Sequence, residues 1–342
     1  MNLQLIRKTI GGAALLCASL IFANQALAAV PLARVIVAKS GGNYTTITAA
    51  LSAISPTATA PYVIEVWPGV YTENVVLKSY VHLKGSGRNV TTVKSATGGS
   101  VITATNLTNV AISGLTLTGA LGNATSCCGA GVQFRDSSGT IFENTVSNNS
   151  RGISINNSIV TPSIPPNSVI ITKNNVLNNK YDGLEVWRIT AVVTDNVISG
   201  NGNGGWSTGG INLNYAWNST ISGNVITANN GSGIHLFNDS TPTISNNVIT
   251  DNVLVGLEYN YVNSGGTATN NKIVNNGGAL LTDVVVGDRS SVYDVTVMPN
   301  ISFNIFDDIG GNPSYPPSSG IIGARGVGSY NVNSNGDPIL VP

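Results

Sequence analysis

Six times between Gly131 and Ile273 the chain repeats one short pattern. A Gly is followed by apolar residues at its first and third successors. An Ile or Val (once Ala) comes later, with an Asn three places on. The openings are Gly131-Val132-Gln133-Phe134, Gly152-Ile153-Ser154-Ile155, Gly183-Leu184-Glu185-Val186, Gly210-Ile211-Asn212-Leu213, Gly233-Ile234-His235-Leu236 and Gly256-Leu257-Glu258-Tyr259. The Asn residues are Asn144, Asn174, Asn196, Asn224, Asn247 and Asn271. A repeat of this length, built from short alternating strands without a helical period, specifies a solenoid of stacked β-coils. The fold class is all-β, with regular coils over residues 131–276.

Alternation orients each coil. The first and third residues after each Gly point inward, and coil stacking turns them into continuous columns of Ile, Leu and Val. At ~25 cal/mol per Å² these columns dominate stability. The recurring Asn is expected at a corner, where it tolerates left-handed backbone and bonds neighbouring main chain, so that six of them stack into an internal ladder.

The ends and the composition bound the function. Arg7 and Lys8, the apolar run Ile10–Phe22 and Ala26-Leu27-Ala28 read as an export signal over residues 1–28, leaving one β-helix domain over 29–342 in the periplasm or outside the cell. The run is too short for a membrane span, and Leu16 before Cys17 disfavours a lipid anchor. Removing the signal takes Lys+Arg from 16 to 14 against 16 acids, a net charge near −2. No basic stripe is present, which argues against nucleic acid. Cys127 and Cys128 are either a strained vicinal disulfide or two thiols. They fit no metal-site spacing, and no metal or other cofactor is implied.

Ahead of the repeats, Thr45–Ile54 reads as a short amphipathic helix with Ile47, Ala50, Leu51 and Ile54 on one face, able to cover the open end of the solenoid. Strands are expected at 62–67, 75–77, 80–83, 101–103 and 110–117. Val37-Ala38-Lys39-Ser40-Gly41-Gly42-Asn43-Tyr44-Thr45-Thr46-Ile47 and Ile64-Glu65-Val66-Trp67-Pro68-Gly69-Val70-Tyr71-Thr72-Glu73-Asn74-Val75 resemble the opening of pectin methylesterases. From Gly131 the chain resembles the broader pectin-lyase-like superfamily. The resemblance implies a right-handed parallel β-helix with three sheets and a ligand groove along one of them. It does not bring the esterase chemistry: the family's Gln-Asp, Asp-Phe-Ile-Phe-Gly and Gly-Arg-Pro-Trp stretches do not occur.

Candidate site residues come from the outward columns of the opening strands. The second residue after each Gly gives Gln133, Ser154, Glu185, Asn212, His235 and Glu258; the fourth gives Arg135, Asn156, Trp187, Asn214, Phe237 and Asn260. In a chain with 9% charged and 6% aromatic residues, one face concentrates Glu185, Trp187, Arg188, Asn212, Tyr215, Trp217, His235, Phe237, Glu258 and Tyr261. Aromatic faces flanked by carboxylates and amides suit sugars. Glu185, His235 and Glu258 are the catalytic candidates; Trp187, Arg188, Asn212, Tyr215, Trp217, Phe237 and Tyr261 are the binding candidates. Glu185 and Glu258 are three rungs apart, ~14 Å, too wide for paired glycosidase carboxylates at ~5–9.5 Å. His235 and Glu258 are on adjacent rungs, ~5 Å apart. Asp182 is read as a turn residue. Insertions at Thr161–Pro166 and Gly200–Thr208 would wall the face. The functional expectation is an exported protein that binds polysaccharide and either processes it or does not; a pectinesterase-like esterase and a non-catalytic structural β-helix are the alternatives.

Overall fold

A computed structural model describes residues 32–122, 128–158, 168–203, 208–259, 265–277, 284–286, 300–302, 304–306, 331–332 and 338–339. The export signal, Cys127, Tyr261 and the Thr161–Pro166 insertion lie outside the described residues. The chain is a right-handed parallel β-helix. Each coil lays one strand into each of three sheets, termed here opening, middle and closing. The described strands number nine, eleven and twelve respectively. Among the described strands, pairing is parallel except at the last pair, Asn331–Val332 with Pro338–Ile339. No described helix is long and apolar enough to cross a membrane.

The single described helix is Ile47–Ala53, shorter than the pattern suggested, with Thr46 as N-cap. Thr46 Oγ1 accepts from Ala49 N at 3.2 Å. Glu73 supplies the other cap: its two carboxylate oxygens accept from Ile47 N and Thr48 N at 2.9 and 2.8 Å. Ile47, Ala50 and Leu51 are buried, and the helix packs on strands Ala33–Val37, Tyr62–Val66 and Val75–Val76 of the first coils. The residues resembling pectin methylesterases therefore build a cap. Three early strands were not anticipated, Ala33–Val37, Gly69–Thr72 and Thr91–Lys94. The segment 110–117 is divided into Val110–Ser113 and Thr116–Thr118 at a corner where Gly114 has φ +67°.

The interior follows the alternation. Val132, Phe134, Ile153, Ile155, Leu184, Val186, Ile211, Leu213, Ile234, Leu236, Leu257 and Tyr259 are all buried. Register places like on like, for example Ile153 on Leu184 on Ile211 on Ile234.

Two Asn ladders, not one, run through the corners. The expected one extends from Asn144 to Asn304, and a second comprises Asn149, Asn179, Asn201, Asn229, Asn252 and Asn276. The left-handed residue is the one before each ladder Asn: Glu143, Lys173, Asp195, Asn246 and Asn270 have φ between 55° and 57°. That twist turns the following Asn inward. Asn196 shows the result. Its Oδ1 accepts from Asn174 N and Nδ2 at 2.9 and 3.0 Å. Its Nδ2 donates to Ile171 O, Thr194 O and Asn224 Oδ1, each at 2.9 Å.

The second ladder explains the repeated Gly. A Cβ on Gly152 would lie 2.3 Å from Gly183 O and 2.9 Å from Asn179 Nδ2. Gly183 and Gly210 face the same collision with Asn201 and Asn229. The glycine is required by close approach of the next coil and the ladder amide.

Asn196→Ala strands several buried donors and acceptors at once, each worth about 1–3 kcal/mol when unsatisfied. The expected loss is roughly 2–4 kcal/mol, read from a denaturant midpoint, with Asn196→Asp at least as damaging because it buries a carboxylate. A loss below about 0.5 kcal/mol, the surface range, would show that the ladder is not structural.

Candidate active site

The outward face of the opening sheet carries the polar columns in the expected register. Gln133, Ser154, Glu185, Asn212, His235 and Glu258 are successive Cα partners, as are Arg135, Asn156, Trp187, Asn214 and Phe237. Two cavities open beside these columns, one at each end of the strands.

The first, about 230 Å³, is lined by Cys128, Arg151, Tyr181, Asp182, Glu185, Thr208 and Asn212. Arg151 begins strand Arg151–Asn156, and Glu185 lies in the next coil's strand, Leu184–Trp187. Ser154 Oγ donates to Glu185 Oε2 at 2.7 Å. Arg151 Nε approaches the same oxygen at 3.5 Å, a loose ion pair. Asp182 stands just before the strand; its carbonyl accepts from Gly152 N at 3.0 Å, which anchors it to the preceding coil. The Asp182 side chain is buried, 4% exposed. Its Oδ1 has no hydrogen-bond partner. Burial first, and then the Glu185 charge, push the Asp182 carboxyl up to about 8; Arg151 and the Gly209 N–H pull the other way without cancelling them. Two carboxyl groups thus share one cavity with Asp182 protonated at neutral pH.

The second cavity, about 220 Å³, is lined by Arg135, Asn156, Asn157, Ser158, Trp187 and Arg188. The Arg188 guanidinium lies 5.0 Å from the Trp187 ring and 5.9 Å from the Tyr215 ring. Tyr215 and Trp217 continue the cluster with centroids 5.8 Å apart. Arg188 Nε and Asn157 Oδ1 are buried without hydrogen-bond partners. Arg188 and Tyr215 both hold left-handed backbone, φ 59° and 50°. Bulky residues pay about 1–2 kcal/mol for that conformation, whereas Asn238 at the equivalent corner, φ 40°, is of a type suited to it.

Of the residues picked out in the sequence, Glu185, Trp187, Arg188, Asn212, Tyr215 and Trp217 are brought together around these cavities. His235 and Glu258 occupy the next rungs of the Glu185 column. They are not on an open surface as expected: they are 4% and 1% exposed. Ser232 Oγ donates to Glu258 Oε2 at 2.8 Å. Phe237 meets the His235 ring edge-on at 5.6 Å. Tyr261 falls outside the described residues. Sequence reasoning missed Arg151 and took Asp182 for a turn. A signal was there: the residue before the coil Gly is Ala130, Arg151, Asp182, Gly209, Ser232 and Val255, so opposite charges fall on adjacent coils at a position otherwise small or apolar. Among the described residues, no three His, Cys, Asp or Glu side chains converge as metal ligands would.

The model of the right-handed beta helix region matches residues 130–297 and, in an overlapping second match, 164–335. Together these span more than half of the chain. The chain belongs to the right-handed beta helix family. The pectinesterase family model matches residues 34–126, the capping region, and stops short of every cavity residue described above. No curated protein matches the chain. Among solved structures, the chain is similar to the A-module of mannuronan C-5 epimerase AlgE4 of Azotobacter vinelandii, at 18% identity and TM-score 0.51, over 84% of this chain and 89% of that one. It is also similar to the enzymatically active domain of tailspike protein 2 of bacteriophage CBA120, at 14% identity and TM-score 0.54, over 89% of this chain and 46% of that one. Identities this low establish the shared fold; the site must be argued from this chain's own residues.

The shift at Asp182 has a thermodynamic consequence. Below about pH 4 the residue is protonated in both folded and unfolded chains. As pH rises, the unfolded chain ionises first and binds fewer protons, so stability falls until the folded group also titrates near 8. Asp182→Asn should remove this slope and exceed the wild type by at least about 1 kcal/mol at pH 8. Denaturant midpoints at pH 5 and pH 8 check it; parallel profiles for the two proteins would contradict it.

Proposed function

We infer that this protein acts outside the cytoplasm on an acidic polysaccharide laid along the outer face of its opening sheet, using Asp182 and Glu185 for acid–base chemistry at a glycosidic bond. The observation that carries the reading is the enclosure of both carboxyl groups, with Arg151, in one cavity beside a cationic aromatic wall.

The roles follow from environment. Asp182 is buried and retains its proton, so it can donate to a leaving oxygen. Glu185 accepts from Ser154 and is flanked by Arg151, which leaves it placed to act on the opposite partner as base or nucleophile. Three residues of extended chain separate their Cα atoms by at most ~10 Å, compatible with either stereochemical course of glycoside cleavage. Trp187 offers a ring face to a sugar. Arg135 and Arg188 can receive a sugar carboxylate, and the Asn157 Oδ1 acceptor can take a hydroxyl. A polymer with both groups on each ring satisfies this wall better than a purely neutral one. Demethylation gains no support from the pectinesterase match, because that match ends before the site.

Incubation with a panel of acidic polysaccharides, followed by reducing-end and unsaturated-product assays, tests the reading. The wild type should release products. Glu185→Gln should lower kcat by about 10²-fold or more with the polymer still bound, whereas Trp187→Ala should mainly raise KM. Asp182→Asn should also lower kcat by about 10²-fold or more, and the activity that remains should no longer fall as pH passes about 8. Binding without products in the wild type would leave a glycan-binding module; full activity in Glu185→Gln would remove this site from the chemistry.

A further inference from the structure

A third cavity lies on a different face, the outer side of the middle sheet near the capped end. It measures about 270 Å³ and is lined by Leu32, Ala58, Pro61, Tyr62, Tyr80, His82 and Asn109. His82 and Glu185 are four coils apart along the axis, roughly 19 Å at ~4.8 Å per coil, and they belong to different sheets. Nothing proposed for the opening sheet uses this cavity.

Its construction is specific. His82 Nε2 lies 2.8 Å from Ser113 Oγ in the next coil. The imidazole also packs on the Phe142 ring one coil further, with centroids 5.6 Å apart. These contacts fix the ring against the sheet. Burial, and secondarily the Lys84 charge, lower the His82 pKa below its ordinary value, so the ring is uncharged at neutral pH. Two tyrosines stand beside it: Tyr62 N donates to Tyr80 O at 3.0 Å, tying their backbones together. Tyr80 and Asn109 both hold left-handed backbone at the corners leading into their strands, φ 60° and 54°. An aromatic side chain in that conformation is costly and uncommon.

We propose that this cavity is a second carbohydrate site, which takes a neutral sugar ring between Tyr62, Tyr80 and His82 with Asn109 bonding its hydroxyls. The ligand class follows from the lining. The lining holds no Asp, Glu, Lys or Arg, which disfavours an anionic or cationic ligand. Two phenols, an imidazole and an amide offer both donors and acceptors beside apolar ring faces, the combination a hydroxylated ring requires. The volume lies below the ~300–1,000 Å³ of pockets for drug-sized ligands, matching a single ring and not a long oligomer.

The chain has two histidines, so imidazole NMR signals report directly on this site and His82→Asn assigns them. The full protein, labelled at histidine, is titrated separately with gluco-, galacto-, manno- and xylo-oligosaccharides and with an oligouronide. The proposal expects at least one neutral series to move the His82 signals saturably at millimolar concentration while His235 stays still. Tyr62→Ala should weaken that response about tenfold. Asn109→Gly, which suits the left-handed backbone and preserves the fold, should weaken it several-fold. Trp187→Ala, on the opening sheet, should leave it unchanged. No saturable His82 shift from any neutral series up to about 50 mM, far weaker than the millimolar range, would overturn the proposal. So would a shift caused only by the oligouronide, or one unaffected by Tyr62→Ala and Asn109→Gly.

Discussion

The coil-to-coil register, locked by the two Asn ladders, is the constraint on which everything else rests. A parallel sheet alone resists slippage through its hydrophobic pattern. Here each corner adds a buried amide that gives and accepts bonds to the coils on either side. Asn196 alone engages Asn174, Ile171, Thr194 and Asn224. No rung can shift by one residue without breaking several such bonds at once. The glycines that open the coils, from Gly131 to Gly233, belong to the same device, since a Cβ there would strike the ladder amide.

That register turns sequence distance into spatial contact. Arg151 and Glu185 are separated by a whole coil, insertion included, yet they face one cavity because their strands are partners. The two carboxyl groups then diverge chemically by environment. Glu185 has a hydroxyl donor and a guanidinium beside it. Asp182 is enclosed, keeps one oxygen unbonded and sits next to Glu185, which raises it further. Burial and like charge act in the same direction on it, which is how one cavity can hold an acid and a base at one pH.

Much of this was legible in the sequence, for definite reasons. Period-two alternation named the buried columns correctly, from Val132 to Tyr259, because strand geometry leaves no choice of face. The gathering of Glu185, Trp187, Arg188, Asn212, Tyr215 and Trp217 followed from the same rule. The second ladder was not read, since Asn149, Asn179 and Asn201 look like ordinary turn residues until the glycine beside each is seen to need them. The ladder Asn was assigned the left-handed twist that its predecessor holds. Asp182 and Arg151 escaped because they precede the strand, where alternation says nothing about depth. His235 and Glu258 show the converse limit: an outward position is defined by the strand, while its exposure depends on what covers it.

The central claim is that stacked coils hold Asp182 neutral beside Glu185 in one cavity. Site-resolved carbon-13 NMR titration of the side-chain carboxyl groups, assigned with Asp182→Asn, measures this directly and needs no substrate. The account predicts that the Asp182 signal titrates near pH 8 and that the transition moves when Glu185 is changed to Gln. A transition near the ordinary aspartate value of about 4, indifferent to Glu185, would contradict it.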